Sequence, residues 1–321
     1  MIIPYPAQLH DLAPAIRRTS RVALLFPGPY GPPAAQAAML AESLAALRWL
    51  DRHGITASAA VGYGAGEIAG LVWAGSLSAP EAARLVAQRG EVLNAMDALR
   101  TAMVRVAADE ATARALGSRS GLVIAAYEAP RSHVLAGPVR AVRDVARQAA
   151  RLGIAADVLD APHALHSPAM APCAAPLRSV LAHIRFAPPR RRLLSTVTAR
   201  ELTPHDDIPS LLCAQLTSPV LFAEALRAAA ADADLLFVAG TDVPLAASAA
   251  ACCGLPVAGF RAGVYRSDGQ QAAVLGCDTR AAPALVPGAC AALAPESATL
   301  PAPVSQPVTP PAPAVSPATR M

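Results

Sequence analysis

The sequence predicts an α/β protein, a mostly parallel sheet covered on both faces by helices, with a smaller ferredoxin-like unit inserted into it. Two observations carry that expectation. Short apolar strands alternate with helix-length segments along most of the chain, the pattern of a parallel sheet buried on both sides. Between 102 and 161 the order changes to β-α-β-β-α-β, which is the ferredoxin-like order. At 321 residues the chain can bury one large core or two smaller ones.

Residues 1–20 read as an irregular arm. The core segments are 21–101 and 162–280, the insert is 102–161, and 281–321 is a Pro/Ala-rich tail ("LPAPVSQPVTPPAPAVSP") with too little varied apolar content to pack. In the first core segment "RVALLFPGP" is a strand and turn, and "AAQAAMLAESLAALRWLDRHG" is a helix that stops at Gly54. A second helix, "SAPEAARLVAQRGEVLNAM", opens on a capping box formed by Ser78 and Glu81. The insert reads "AMVRVA", "DEATARALG", "SGLVIAAYEAP", "SHVLAG", "PVRAVRDVARQAARLG" and "IAADVLDAP" in strand and helix order. The second core segment runs from "HALHSPAMAPCAAPLRSVLAHI", a loop into a helix, through a strand "RRLLSTVT" and a helix "SPVLFAEALRAAAADA". A strand "DLLFVAG" and a helix after Pro244 follow.

Composition narrows the function classes. The net charge of +4 comes from 27 basic residues, all Arg, and no Lys occurs. Codon composition explains that bias, and so would a partner rich in carboxylates or phosphates. Aromatics are 4% and do not interleave with basic runs, which argues against nucleic acid. The six cysteines form no CxxC pair and lie at no metal-ligand spacing from histidine, so no metal is expected and the thiols read as small buried residues in a reducing compartment. The apolar stretch 243–260 is Ala- and Gly-rich with two prolines, too weak for a membrane span. Without a signal-peptide pattern at the start, the expected location is cytoplasmic.

The stretch "AAVGYGAGEIAGLVWAGSLS" (59–78) reads as strand, tight turn and helix. Enzymes with a nucleophile elbow place a serine or cysteine in such a turn; here a glycine stands there. "GAGEIA" also fits a loose dinucleotide fingerprint, but a second helix follows directly where a strand ending in an acidic residue should come.

Several segments then carry a resemblance, in order. "ALLFPGP" resembles the LFPGQGSQ opening of the malonyl-CoA:acyl carrier protein transacylase family, which includes the acyltransferase domains of polyketide synthases. "GYGAGEIAGLVWAGSLS" is similar to its GHSxGE helix, "ARLVAQRG" to its carboxylate-binding arginine segment, and "HALHSPAM" to its HAFHSPLM stretch. "STVTARELT", "LTSPVLFAEAL" and "VAGTDVPL" resemble later segments, so the likeness spans roughly 21–250. It implies an α/β-hydrolase-like core with a ferredoxin-like insert.

The family works by ping-pong acyl transfer through a serine, a histidine base and an oxyanion hole. The resemblance places Gly64 where the serine stands, Tyr63 where a histidine precedes it, and Pro29, which has no N–H, at the first oxyanion donor. Ala65 supplies the second oxyanion amide. His166 matches the general base, Arg89 the arginine that pairs with a malonyl carboxylate, and His163 opens the specificity motif. Where the family reads NYNSPxQ this chain has "AYEAPRS", so Ala126, Glu128 and Ser132 thin the polar lining. The turn thus reads as a relic elbow in which glycine relaxes the strained backbone. No cofactor is implied, with malonyl-CoA or another acyl-CoA as possible substrate or ligand. The partner implied is an acyl carrier protein or a ketosynthase or other synthase subunit. The expected role is a docking or accessory subunit of polyketide or fatty acid biosynthesis. The alternative is an active transferase or acyl-thioester hydrolase in which His166 works by another mechanism.

Overall fold

The first strand, β1 (Val22–Phe26), is buried at every position, because apolar residues on both faces of the strand can only be satisfied by layers above and below. It sits in the middle of a six-stranded sheet. In the computed structural model, residues 21–28, 30–95, 100–262 and 273–277 are described. The expected arm 1–20, Pro29 and the Pro/Ala-rich tail 281–321 lie outside the described residues.

Helix α1 (Pro33–Arg52) follows β1, and β2 (Ala57–Gly62) pairs parallel with it. Helices α2 (Gly66–Trp73) and α3 (Ala79–Asn94) come next. The Ser78 hydroxyl accepts from the Glu81 amide at 3.3 Å, as the capping pattern predicts.

The insert begins with β3 (Thr101–Val106), α4 (Glu110–Ser118), β4 (Val123–Ala129), β5 (Ser132–Pro138), α5 (Val139–Arg151) and β6 (Ala156–Val158). Its strands lie in the order β4-β5-β3-β6, all antiparallel, which is the ferredoxin-like arrangement. Val104, Val106, Leu116, Leu135, Val142 and Val145 form a small core of its own. The insert is also stitched to the main sheet's layer: Tyr127 donates its amide to the Val220 carbonyl, and Val220 donates to Ala125, both at 2.9 Å.

After the insert come a 3₁₀ turn (Pro168–Cys173), α6 (Ala174–Leu181), β7 (Leu193–Leu194), α7 (Ile208–Thr217), α8 (Phe222–Ala230), β8 (Leu235–Val238) and α9 (Val243–Cys253). Strands β9 (Val257–Ala262) and β10 (Ala273–Cys277) complete the large sheet in the order β10-β9-β8-β1-β2-β7. Every pairing is parallel except the last, β9 with β10. The fold is the predicted one, an α/β parallel-sheet core with a ferredoxin-like subdomain.

Three local expectations need correction. The strand expected over 191–198 pairs only at Leu193–Leu194, because Ser195 and Thr196 turn away to bond a buried carboxylate. The helix expected over 218–233 starts at Phe222, since Pro219 and Val220 run extended beside β4. Helix α7, between those two, was not anticipated at all.

Candidate functional site

The turn between β2 and α2 holds the site. Gly64 has φ +51°, a left-handed conformation that glycine adopts without the Cβ clash other residues meet. Gly66 packs against the end of β1 so closely that an added Cβ would lie 2.1 Å from the Phe26 carbonyl oxygen, so only glycine fits there. The amides of Gly66, Glu67 and Ile68 bond the carbonyls of Tyr63, Gly64 and Ala65, which starts the helix. Ala65 is the residue before α2, so its own amide points from a helix N-terminus, where N–H groups favour negative charge.

His166 stands opposite. Its Nε2 lies 3.0 Å from where a Cβ on Gly64 would be. Its Nδ1 donates to the Gln215 carbonyl at 2.6 Å, which leaves Nε2 bare and aimed at the turn. Burial, with Arg89 adding to it, pushes the imidazole pKa down to about 4, so the ring is neutral at physiological pH. His166 itself has φ +61°, a strained conformation for a residue with a Cβ, which marks the position as one held by its surroundings.

That support is a buried network. Glu67, in the first turn of α2, accepts from Thr196 N at 2.5 Å, Thr196 Oγ1 at 2.7 Å, Ser195 Oγ at 3.3 Å and Gln215 Nε2 at 3.1 Å. Burial raises its carboxyl pKa, and those donors oppose the rise. Since the same Gln215 accepts from His166, the carboxylate fixes the histidine through one intervening residue.

Arg89, on α3, is buried and donates through Nη1 to Gln36, while Nη2 has no hydrogen-bond partner among the described residues. Burial lowers its pKa to about 10. A solvated surface arginine is therefore excluded for this position. His163 is buried in the same loop as His166, three residues earlier.

Tyr63 reaches away from His166. Its hydroxyl donates to Glu128 at 2.9 Å and meets the hydroxyl of Tyr30, whose ring stands edge-on to His166 at 6.3 Å. Glu128 also accepts from Arg105 Nε at 2.7 Å, Arg105 Nη2 at 3.0 Å and Ser132 Oγ at 2.9 Å. The thinning of the polar lining expected from the change at 126–132 is therefore not found. Glu128 and Ser132 build a new network, because a buried carboxylate is stable only with donors around it. Glu67, Gln215, Arg105, Tyr30 and Asp242 were not singled out in the sequence. The first could have been found from its place in the first turn of a helix, and Asp242 from its N-cap pattern.

Residues 33–277 match the family described as the acyl transferase domain. The chain belongs to that family. It is 33% identical over 208 residues to polyketide synthase GfsB of Streptomyces halstedii, covering 63% of this chain and 4% of that protein. It is 31% identical over 253 residues to 5-methyl-1-naphthoate synthase of Streptomyces sahachiroi, covering 76% of this chain and 14% of that one. The acyl transferase chain therefore spans a small fraction of the length of these relatives. Among solved structures it is similar to the acyltransferase domain of an iterative polyketide synthase of enediyne biosynthesis, with TM-score 0.69, 38% identity, and 74% and 66% of the two chains covered. The malonyl CoA-acyl carrier protein transacylase of Coxiella burnetii shares the fold, with TM-score 0.68, 20% identity, and 75% and 94% covered. Among the described residues no helix is long and apolar enough to cross a membrane, and no group of three His, Cys, Asp or Glu side chains is placed to hold a metal.

Proposed function

We propose that this acyl transferase homologue is a cytoplasmic accessory subunit that docks an acyl carrier protein or a synthase subunit without forming an acyl-enzyme. One observation carries the reading: the residue that faces the bare Nε2 of His166 is Gly64, which has no side chain to acylate. The sequence adds a second. Pro29 occupies the position of the family's first oxyanion donor and has no N–H to offer. Arg89, with a free Nη2 in a buried place, keeps the means to recognise a carboxylate such as that of malonyl-CoA. Recognition without transfer suits a docking subunit.

Intact-protein mass spectrometry after incubation with malonyl-CoA tests this directly. The expected result is no added malonyl mass; a stoichiometric adduct on any residue sinks the reading.

A second reading has its own support. A neutral imidazole with a bare Nε2 beside a residue that leaves space is a competent base for a water or a carrier thiol. In that case the chain is a thioester hydrolase or transferase without a covalent intermediate, and thioester cleavage should vanish in His166→Gln.

A further inference from the structure

A cavity of about 160 Å³ opens beside Tyr30 and Tyr63. It is lined by Gly28, Tyr30, Tyr63, Arg105, Glu128 and Asp242, with Pro244 and Leu245 as its apolar wall. Its charged groups are not equivalent. Glu128 is saturated by Tyr63, Arg105 and Ser132. Arg105 gives Nε and Nη2 to Glu128, and its Nη1 has no partner among the described residues. Asp242 caps α9 by accepting the Leu245 amide through Oδ1 at 2.8 Å, and its Oδ2 has no donor among the described residues. The lining therefore holds one guanidinium nitrogen and one carboxylate oxygen without a partner among the described residues, together with two phenol rings and an apolar wall.

We propose that this cavity binds a small free amino acid as its zwitterion, carboxylate on Arg105 and ammonium on Asp242, side chain against Pro244 and Leu245. The carboxylate would meet the guanidinium nitrogen that Glu128 leaves unused, and the ammonium the carboxylate oxygen that the Leu245 amide leaves unused. The tyrosine rings suit the ammonium as well, since aromatic faces attract cations. Burial holds the Asp242 carboxyl up at about 6, while Arg105 opposes that rise and Glu128 adds to it. An ammonium brought against it offsets the cost that burial imposes. Size sets the side chain. A cavity of about 150 Å³ accepts a benzene-sized guest, which corresponds to a side chain no larger than that of alanine or valine. The proposal holds whether or not the chain transfers acyl groups, because neither Gly64 nor His166 lines the cavity.

Calorimetric titration of the full chain with L-alanine and L-valine tests it, with isobutylamine and isobutyrate as single-pole controls. Either amino acid should bind, and each control should bind about tenfold more weakly or worse, the loss of one charge-assisted hydrogen-bond set. Asp242→Asn should weaken amino-acid binding by about tenfold or more. Its melting temperature should hold, because asparagine caps a helix as well as aspartate does. Three results overturn the proposal: no binding of either amino acid, isobutylamine binding as tightly as valine, or Asp242→Asn binding as tightly as the native chain.

Discussion

At the scale of the residue, Gly64 and His166 face each other across the elbow turn. A serine at 64 would keep φ at +51°, where a side chain is strained by about 1 kcal/mol or more, and its Cβ would press on His166 Nε2 at 3.0 Å. Gly64→Ser should therefore melt lower than the native protein. On the proposed reading it should transfer malonyl slowly, since Pro29 has no N–H for the oxyanion hole and one missing oxyanion donor costs about 10²–10³ in rate. Transacylation assays on Gly64→Ser, Pro29→Gln and the double variant decide this; ordinary family turnover from Gly64→Ser alone would refute the role given to Pro29. His166 supplies a second prediction. Its folded pKa of about 4 lies below the ordinary value of 6.5, so the unfolded chain takes up the proton first. The stability that His166 retains above pH 6.5 is lost as pH falls towards 4, by about 3 kcal/mol at most. Urea denaturation between pH 7 and 4 should show a shallower loss in His166→Gln than in the native protein. Both positions were legible in the sequence, because glycine in an elbow turn and histidine in "HALHSP" are local signals. Of the neighbours that set the pKa of His166, Arg89 was legible and Gln215 was not, since it arrives on a helix the sequence did not reveal.

At the scale of the element, α7 shows what the sequence concealed. Its start was marked by Asp207 as N-cap and Pro209 in the first turn, yet its ten residues, "IPSLLCAQLT", are apolar nearly all round. A short, buried helix carries no 3.6-residue alternation to read. The same contact that shortens β7 ties α7 to α2: Glu67 gathers Ser195, Thr196 and Gln215 from two later segments. Only the strand side of that contact could be seen, as part of "RRLLSTVT". Glu67→Ala leaves the Thr196 amide, the Ser195 hydroxyl and the Gln215 side-chain amide without their acceptor in the core. Each unsatisfied buried group costs about 1–3 kcal/mol, so a loss of roughly 3 kcal/mol or more is expected in chemical denaturation. Glu67→Gln, which keeps an acceptor oxygen, should lose clearly less. Equal losses in the two variants would show that the network does not hold these elements together.

The whole molecule was legible in its repeating pattern and not in its closures. Alternating apolar strands gave the parallel sheet, and β-α-β-β-α-β gave the insert, because each rests on periodicity within one segment. The bridge from core to insert rests instead on Tyr63, Glu128 and Arg105, brought together from 42 and 65 positions apart only by the folded chain. Charge at the same scale gives the last prediction. The chain carries +4 with arginine as its only strong base, and Arg140, Arg143, Arg147 and Arg151 all lie exposed along α5 of the insert. Of these, Arg147 pairs with Asp144, which leaves three without an ion pair among the described residues. If the accessory role holds, an acidic carrier protein should bind with an affinity that falls as salt rises from about 0.05 to 0.2 M, because the Debye length shortens over that range and screens exposed charges. Replacing Arg140, Arg143 and Arg151 together with glutamine should flatten that salt dependence without lowering the melting temperature, since the three side chains are exposed. Titrations against carrier proteins at two salt concentrations measure both effects. Binding that is absent at low salt rejects the docking role, and binding that is indifferent to salt and to the triple variant places the contact elsewhere than on this helix.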